Sequence, residues 1–392
     1  MADKNHTTIW DYLRWRGDLL FSQDGFNEVD NLLLCIVSYI DFRRITRLRS
    51  FDAADAMPIG DVCAMLTEED EQRGLSPEDY IPVMRAMAAT PRFREVKMFA
   101  FEDSYDEEKV MQFSAVSFLL PDESVFVAYR GTDTTLVGWI EDFNMSFMSA
   151  VPAQLRATQY AAEVASRVPC RAVRVGGHSK GGNLAAWAAI HLPEELQTGR
   201  LLAAYNNDGP GFDAAVLASD GFARVAEKIH TFIPESSVVG MLLEHTEDYT
   251  LIDSTTVSLL QHEPLSWNVL GNRFVYLGRR SEVAQLGDNV IRDWLAGLSR
   301  EERQEFVETL HQLLSAGGKI KTREDLRSGG LSSGIALIKE YAGADESKKK
   351  MLSDLVGRLK VDAKEELRRA AEEKWKKAGE DFRQALDKLR IV

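Results

Sequence analysis

The sequence predicts an α/β fold with a mostly parallel central sheet, and three observations predict it. Between residues 93 and 280, strand-like runs give way to alternating helix-like and strand-like segments, the pattern of a parallel sheet covered by helices. Within that stretch a β-branched run, Val173 and Val175, passes through glycines and a serine into an alanine-rich helical pattern. On either side, residues 1–92 and 281–392 carry helical signals only. The expected organisation is therefore an N-terminal helical segment (1–92) packed on a core (93–280), followed by a C-terminal helical extension (281–392).

Residues 9–16 read as a short helix. Asn27 can cap a second helix, whose apolar positions Leu32, Cys35, Ile36 and Ile40 recur at helical spacing. A third is expected over 76–89, with Pro77 in a tolerated first-turn position. The runs VKMFAF, MQFSAVSFLL and SVFVAYR, separated by the turn-rich EDSYDEE and PDES, read as consecutive antiparallel strands. Helices are expected over 136–147, 153–166 and 180–191, and strands over 172–175, 201–206, 228–233, 249–260 and 273–277. Residues 283–314 are helical in pattern, and 315–333, rich in Gly, Lys and Ser, read as a linker. From 347 onward the chain is a charged amphipathic helix with Leu352, Leu355, Leu359, Trp375 and Phe382 among its apolar positions. The tail from Asp345 is net basic within a chain whose formal net charge is −14. A solvated helix packed on the body is the expectation there, with peripheral membrane contact or self-association as the alternatives.

Composition narrows the function classes. The chain is 45% hydrophobic, enough for a sizeable core, and its acidity gives no electrostatic footprint for nucleic acid. Its apolar runs are too short to span a bilayer, and no signal peptide or lipidation motif is recognisable. Cys35, Cys63 and Cys170 fit no metal-site spacing and read as reduced thiols. Together these features lead to the expectation of a cytoplasmic protein without a transmembrane segment, metal or cofactor.

Chemistry enters at Gly177-His178-Ser179-Lys180-Gly181, a G-x-S-x-G between strand and helix. In that setting the serine sits on a strained turn with its hydroxyl clear of the sheet edge, and the flanking glycines keep Cβ atoms out of the bend. The arrangement is the nucleophile elbow of the α/β-hydrolase fold. It makes Ser179 the candidate nucleophile and the backbone N–H of Lys180 one oxyanion donor. The second donor comes from the loop after an earlier strand, where SVFVAYR runs into Gly131-Thr132-Asp133. Thr132 fits that role, while an N-cap function for Thr132 or Asp133 explains the same residues.

The segments YRGTDTTLVGWIEDF and GGHSKGGNLA together resemble the paired signature of class 3, fungal-type lipases. WDYLRWRGDLLFSQDGFNEVDNLLL, YNNDGPGF, SSVVGMLLEH and QHEPLSW are similar to a bacterial lipase-related group called Mbeg-like. The first likeness covers about residues 93–270 and the second about 8–280. The resemblance implies an α/β-hydrolase with Ser179 as nucleophile and Thr132 as oxyanion donor. It also implies ester substrates, acylglycerols or lysophospholipids among them. Lys180 departs from the family pattern, which has an apolar residue there; its ammonium could alter local charge or meet an anionic headgroup.

A serine nucleophile needs a base oriented by an acid, in the chain order Ser, acid, His. Of the histidines after Ser179, His191 lies at the far end of the elbow helix and His230 begins a strand. His311 is in the late helical region, and His245 and His262 are in loops. His262 is preferred: Glu263-Pro264 forces a loop there, and it lies in the QHEPLSW segment. His178 is expected to face away from the site. Asp208, exposed at the sheet's carboxyl edge by Gly209-Pro210-Gly211, is the favoured acid. Glu235 is the alternative, because class 3 lipases place their acid one strand later. The reaction expected is carboxylic ester cleavage through an acyl-enzyme. The competing readings are a thioesterase or amidase, or a non-catalytic scaffold with a binding or regulatory role. The N-terminal helices and residues 236–243 are candidates for a lid over the site.

Overall fold

The fold is that of a computed structural model describing residues 7–67, 70, 80–132, 141, 144, 145, 148–169, 171–235, 237, 239–241, 249–256 and 261–278. The extension expected over 281–392, the strand-like residues 257–260, most of the 136–147 helix, and Cys170, His245 and His311 lie outside the described residues.

Eight strands form one sheet in chain order: β1 (Met57–Pro58), β2 (Lys97–Asp106), β3 (Met111–Leu119), β4 (Ser124–Tyr129), β5 (Ala172–His178), β6 (Leu201–Asn207), β7 (Ile229–Pro234) and β8 (Tyr249–Ile252). The pairs from β1 to β4 are antiparallel and those from β4 to β8 parallel. From β2 onward the change of sense follows connection length. Short turns through Val110 and Glu123, both at positive φ, can join only antiparallel neighbours, whereas parallel neighbours need a crossover. The helices are α1 (Ile9–Arg16), α2 (Glu28–Val37), α3 (Ile59–Ala64), α4 (Tyr80–Ala88), α5 (Pro152–Arg167), α6 (Lys180–His191), α7 (Glu194–Gly199), α8 (Ala214–Leu217) and α9 (Asp220–Val225). This mostly parallel sheet with helices on both faces is the α/β-hydrolase fold expected from the sequence.

The way the two faces are covered follows from the strand order. Parallel strands joined in sequence by crossovers of one hand send their connecting helices to the same side. Accordingly α5 and α6 share an apolar cluster with Val125, Val127 and Tyr129. The intervening residues Phe126 and Ala128 point to the opposite face, where they join Ile9, Leu32, Ile36 and Met84 of α1, α2 and α4. The N-terminal helices are thus the second covering layer. All residues of β4 are buried, as a strand sandwiched on both faces requires.

Nine of the ten α2 residues are buried, so the helix must satisfy the two polar side chains it carries inside, Asp30 and Asn31. Asp30 pairs with buried Arg92 and accepts from Tyr12 Oη at 2.8 Å. Asn31 Nδ2 donates to Asn207 Oδ1 at 2.9 Å, and Asn207 Nδ2 returns a bond to Asn31 Oδ1 at 3.2 Å. Asn27 caps the helix as expected, accepting from the N–H groups of Val29 and Asp30.

Three local expectations are revised. The strand from Tyr249 ends at Ile252, and Ser254 turns out to bridge Trp267. Only Arg273–Phe274 (β10) of the expected 273–277 strand is regular, pairing with Val269–Leu270 (β9) in a hairpin, while Tyr276 bridges Ile252 of β8 and Leu277 N–H donates to Leu251 O at 2.8 Å. Helices α7 to α9, of four to six residues, are too short for periodicity to reveal. Among the described residues no helix is long and apolar enough to cross a membrane.

Candidate active site

The site forms at the carboxyl ends of β4 to β7. Ser179 links β5 to α6 with φ 59° and ψ −133°, a backbone conformation that costs a non-glycine residue on the order of 1–3 kcal/mol. The turn is over-determined by close packing. A Cβ on Gly177 would lie 2.1 Å from the Gly181 backbone, and one on Gly181 would lie 2.2 Å from Tyr129 O. The strand end is held further by Ser179 N–H donating to Asn207 O at 2.9 Å. Side-chain exposure fits the role: Ser179 is half-buried between fully buried neighbours.

His262 meets Asp208, its Nδ1 lying 2.7 Å from Asp208 Oδ2. The carboxylate is wholly buried and the ring 27% exposed, so the pair has one dry end and one accessible end. Asp208 sits just past β6 at φ 55°, and its N–H donates to Phe232 O at 2.9 Å. Its loop is clamped by side chains the sequence did not single out. Asn206 Oδ1 accepts from Gly209 N–H at 2.9 Å, and Asn183 Nδ2 donates to Pro210 O and Gly211 O at 3.1 and 2.9 Å. Ser237 donates its hydroxyl proton to Asp208 Oδ2 at 2.6 Å, so part of the 236–243 segment buttresses the acid. Glu235 lies one strand over, its N–H on Ile252 O at 3.2 Å; the carboxylate that meets the His262 ring is that of Asp208.

His178 departs from expectation. Instead of facing away, its Nε2–H donates to the backbone carbonyl of His262 at 2.8 Å, with ring centroids 4.7 Å apart. Burial, then the neighbouring His262, hold its pKa well below the ordinary histidine value. The ring is therefore neutral, and its Nδ1 accepts from Tyr39 Oη at 3.1 Å. The His262 loop is in this way moored to the residue before Ser179. Tyr80, on α4, adds a second mooring through Glu263 Oε1 at 3.0 Å. The N-terminal layer, considered above as a lid, supplies fixed supports to the site through Tyr39 and Tyr80. Of the other histidines, His191 stacks on Trp187 at 3.8 Å and His230 on Tyr205 at 5.3 Å, both away from Asp208.

Gly131 and Thr132 follow β4 after Arg130, and a Cβ on Gly131 would lie 3.1 Å from Ser179 Cβ. Thr132 is half-buried. Lys180 opens α6, so its N–H is among the first-turn donors that a helix leaves without an internal acceptor. Its side chain is 1% exposed and bonded to Gln112 and Glu141, which removes it from contact with any headgroup. Asp133, Trp139 and Asp142 lie outside the described residues. Among the described residues no group of three or more His, Cys, Asp or Glu side chains is arranged to hold a metal ion.

Sheet order and elbow together define a protein of the α/β-hydrolase class. Within that class the chain belongs to the Mbeg1-like family, whose profile matches residues 87–312. No curated protein matches the chain significantly. Among solved structures, the Rhizomucor miehei lipase propeptide complex is similar at 16% identity, over 48% of this chain and 71% of that one, with a TM-score of 0.33. Lip2 lipase from Yarrowia lipolytica is similar at 14% identity, over 51% and 78%, also with a TM-score of 0.33. Those likenesses are distant, and the fold assignment rests on this chain's own strand order.

Proposed function

We propose that this protein is a serine hydrolase cleaving carboxylic esters through an acyl-enzyme intermediate. One observation carries the reading: the 2.7 Å contact between His262 and Asp208, residues distant in sequence, on a loop moored beside a serine at φ 59°. A serine hydroxyl is a weak nucleophile until a base takes its proton, and the base works only when an acid fixes its tautomer. With Nδ1–H donating to Asp208, His262 keeps Nε2 free to accept the Ser179 proton. Attack on the ester carbonyl then forms the Oγ–C bond and moves the carbonyl electron pair onto oxygen. The N–H groups of Lys180 and Thr132 stabilise that charge. Collapse of the adduct breaks the ester C–O bond, and the departing alcohol takes the proton from His262. Water, deprotonated by the same ring, attacks the acyl-enzyme; the Oγ–C bond then breaks, Ser179 Oγ takes the proton back from His262, and the carboxylic acid is released.

Acylglycerols and lysophospholipids are the ester classes proposed, on the strength of the paired YRGT and GHSKGG motifs. The test is labelling by a fluorophosphonate probe, with turnover of p-nitrophenyl esters of graded chain length alongside amide and thioester analogues. Wild-type protein is expected to be labelled at Ser179 and to turn over esters fastest, with both signals lost in Ser179→Ala. A folded wild type that neither labels nor turns over would overturn the proposal in favour of a binding or regulatory scaffold. Preference for the thioester or amide would reassign the substrate.

A further inference from the structure

The Lys180 side chain has no part in the steps above, and its surroundings are unusual for a lysine. Its Nζ is buried and donates to Gln112 O at 2.9 Å, Gln112 Oε1 at 2.8 Å and Glu141 Oε2 at 3.0 Å. Glu141 is fully buried as well. Its Oε2 also accepts from Gln112 N–H at 3.0 Å, and its Oε1 accepts from Ala153 N–H at 2.9 Å, at the start of α5. One carboxylate thus joins β3, α5 and the first residue of the elbow helix.

Stability alone is a poor reason for such a cluster. Desolvating two charges offsets most of their attraction, and an apolar pair of the same size commonly serves a core as well. The cluster also leaves Gln112 Nε2 buried without a hydrogen-bond partner, because the amide turns its oxygen to the lysine. What these groups secure is geometry. Lys180 carries the elbow N–H, and Glu141 accepts from the Gln112 N–H near the start of β3. Gln112 is on β3, which fixes the end of β4 through Arg130 N–H donating to Ser114 O at 3.0 Å.

We propose that Lys180 and Glu141 are positioning residues, a reading that rests on the serine-hydrolase proposal: their buried contact sets the spacing between the elbow N–H and Thr132, the two oxyanion donors. The reacting oxygen never touches the ammonium. Its influence is exerted through the peptide it anchors, so it acts when charge develops on the substrate oxygen and not when substrate binds.

The experiment compares Lys180→Met, Glu141→Gln and the double variant, each first verified as folded by circular dichroism and thermal melting. Steady-state kinetics on the best p-nitrophenyl ester then separate kcat from KM. Each single variant is expected to lose kcat by at least ~10-fold with KM within about twofold of wild type. The double variant is expected to match the singles, since the residues act as a unit. Folded variants with wild-type kcat, or losses carried by KM, would overturn the proposal. Should Lys180→Met fail to fold, the isosteric Glu141→Gln decides by the same criterion. A wild type that is not labelled at Ser179 defeats the hydrolase reading itself; a labelled wild type with fully active variants defeats only this inference.

Discussion

Asp208 carries several constraints at once: a positive φ, complete burial, a hydroxyl from Ser237 on one oxygen, and His262 on that same oxygen. Asparagine tolerates the left-handed backbone and preserves the shape, so Asp208→Asn separates orientation from folding. In the proposed mechanism the amide reverses the polarity offered to His262 Nδ1 and favours the wrong tautomer. The expected result is a loss of about 10⁴-fold in kcat with the melting temperature nearly unchanged, measured by ester turnover and thermal unfolding. At this scale the sequence was partly legible. A serine between glycines and an aspartate before Gly-Pro-Gly announce themselves through backbone requirements that few residues meet. His178 did not, because nothing in a local motif reveals that a ring reaches a carbonyl 84 residues away. Asn183, Asn206 and Ser237 were missed for the same reason, since polar side chains that brace a loop have no characteristic spacing.

At the scale of elements, the elbow is the part with least freedom. Gly177→Ala places a methyl group 2.1 Å from the Gly181 backbone, and no rotamer relieves a Cβ contact. The β5–α6 turn must open or the helix must shift, at a cost of ~1–3 kcal/mol or more. The expected outcome is a lower melting temperature together with slowed fluorophosphonate labelling, even at temperatures where the variant is fully folded. Strands and long helices were readable because their apolar patterns repeat; α5 and α6 match the expected ranges to within a residue or two. The arrangement of layers was not readable in the same way. The near-continuous apolar run of β4 says that both faces are buried, but not that α5 and α6 share one face while α2 takes the other.

For the molecule as a whole, the buried neutral His178 links stability to acidity. Its pKa in the fold is depressed well below the unfolded value of 6.5. Below about pH 6.5 the unfolded chain therefore binds a proton that the folded one refuses, and stability falls as pH falls. The slope contributed is at most ~1.4 kcal/mol per pH unit, continuing until the folded pKa is reached. His178→Gln can imitate both ring hydrogen bonds without titrating. Denaturant melts between pH 7 and 5 are expected to show a shallower decline for that variant; an identical decline would remove His178 as the cause. The N-terminal layer has a consequence of a different kind. Thr7 O accepts from Val269 N–H at 2.7 Å, so the opening of the described chain is stitched to nearly its close. During synthesis the leucine-rich helix that starts at Glu28 emerges long before β5 and β6, the strands it must cover. At ordinary elongation rates it waits on the order of ten seconds or more for those strands, with its apolar side chains unprotected. A chain cut short ahead of residue 269 lacks the Val269 N–H that closes on Thr7 O, and leaves that end of the layer unsealed.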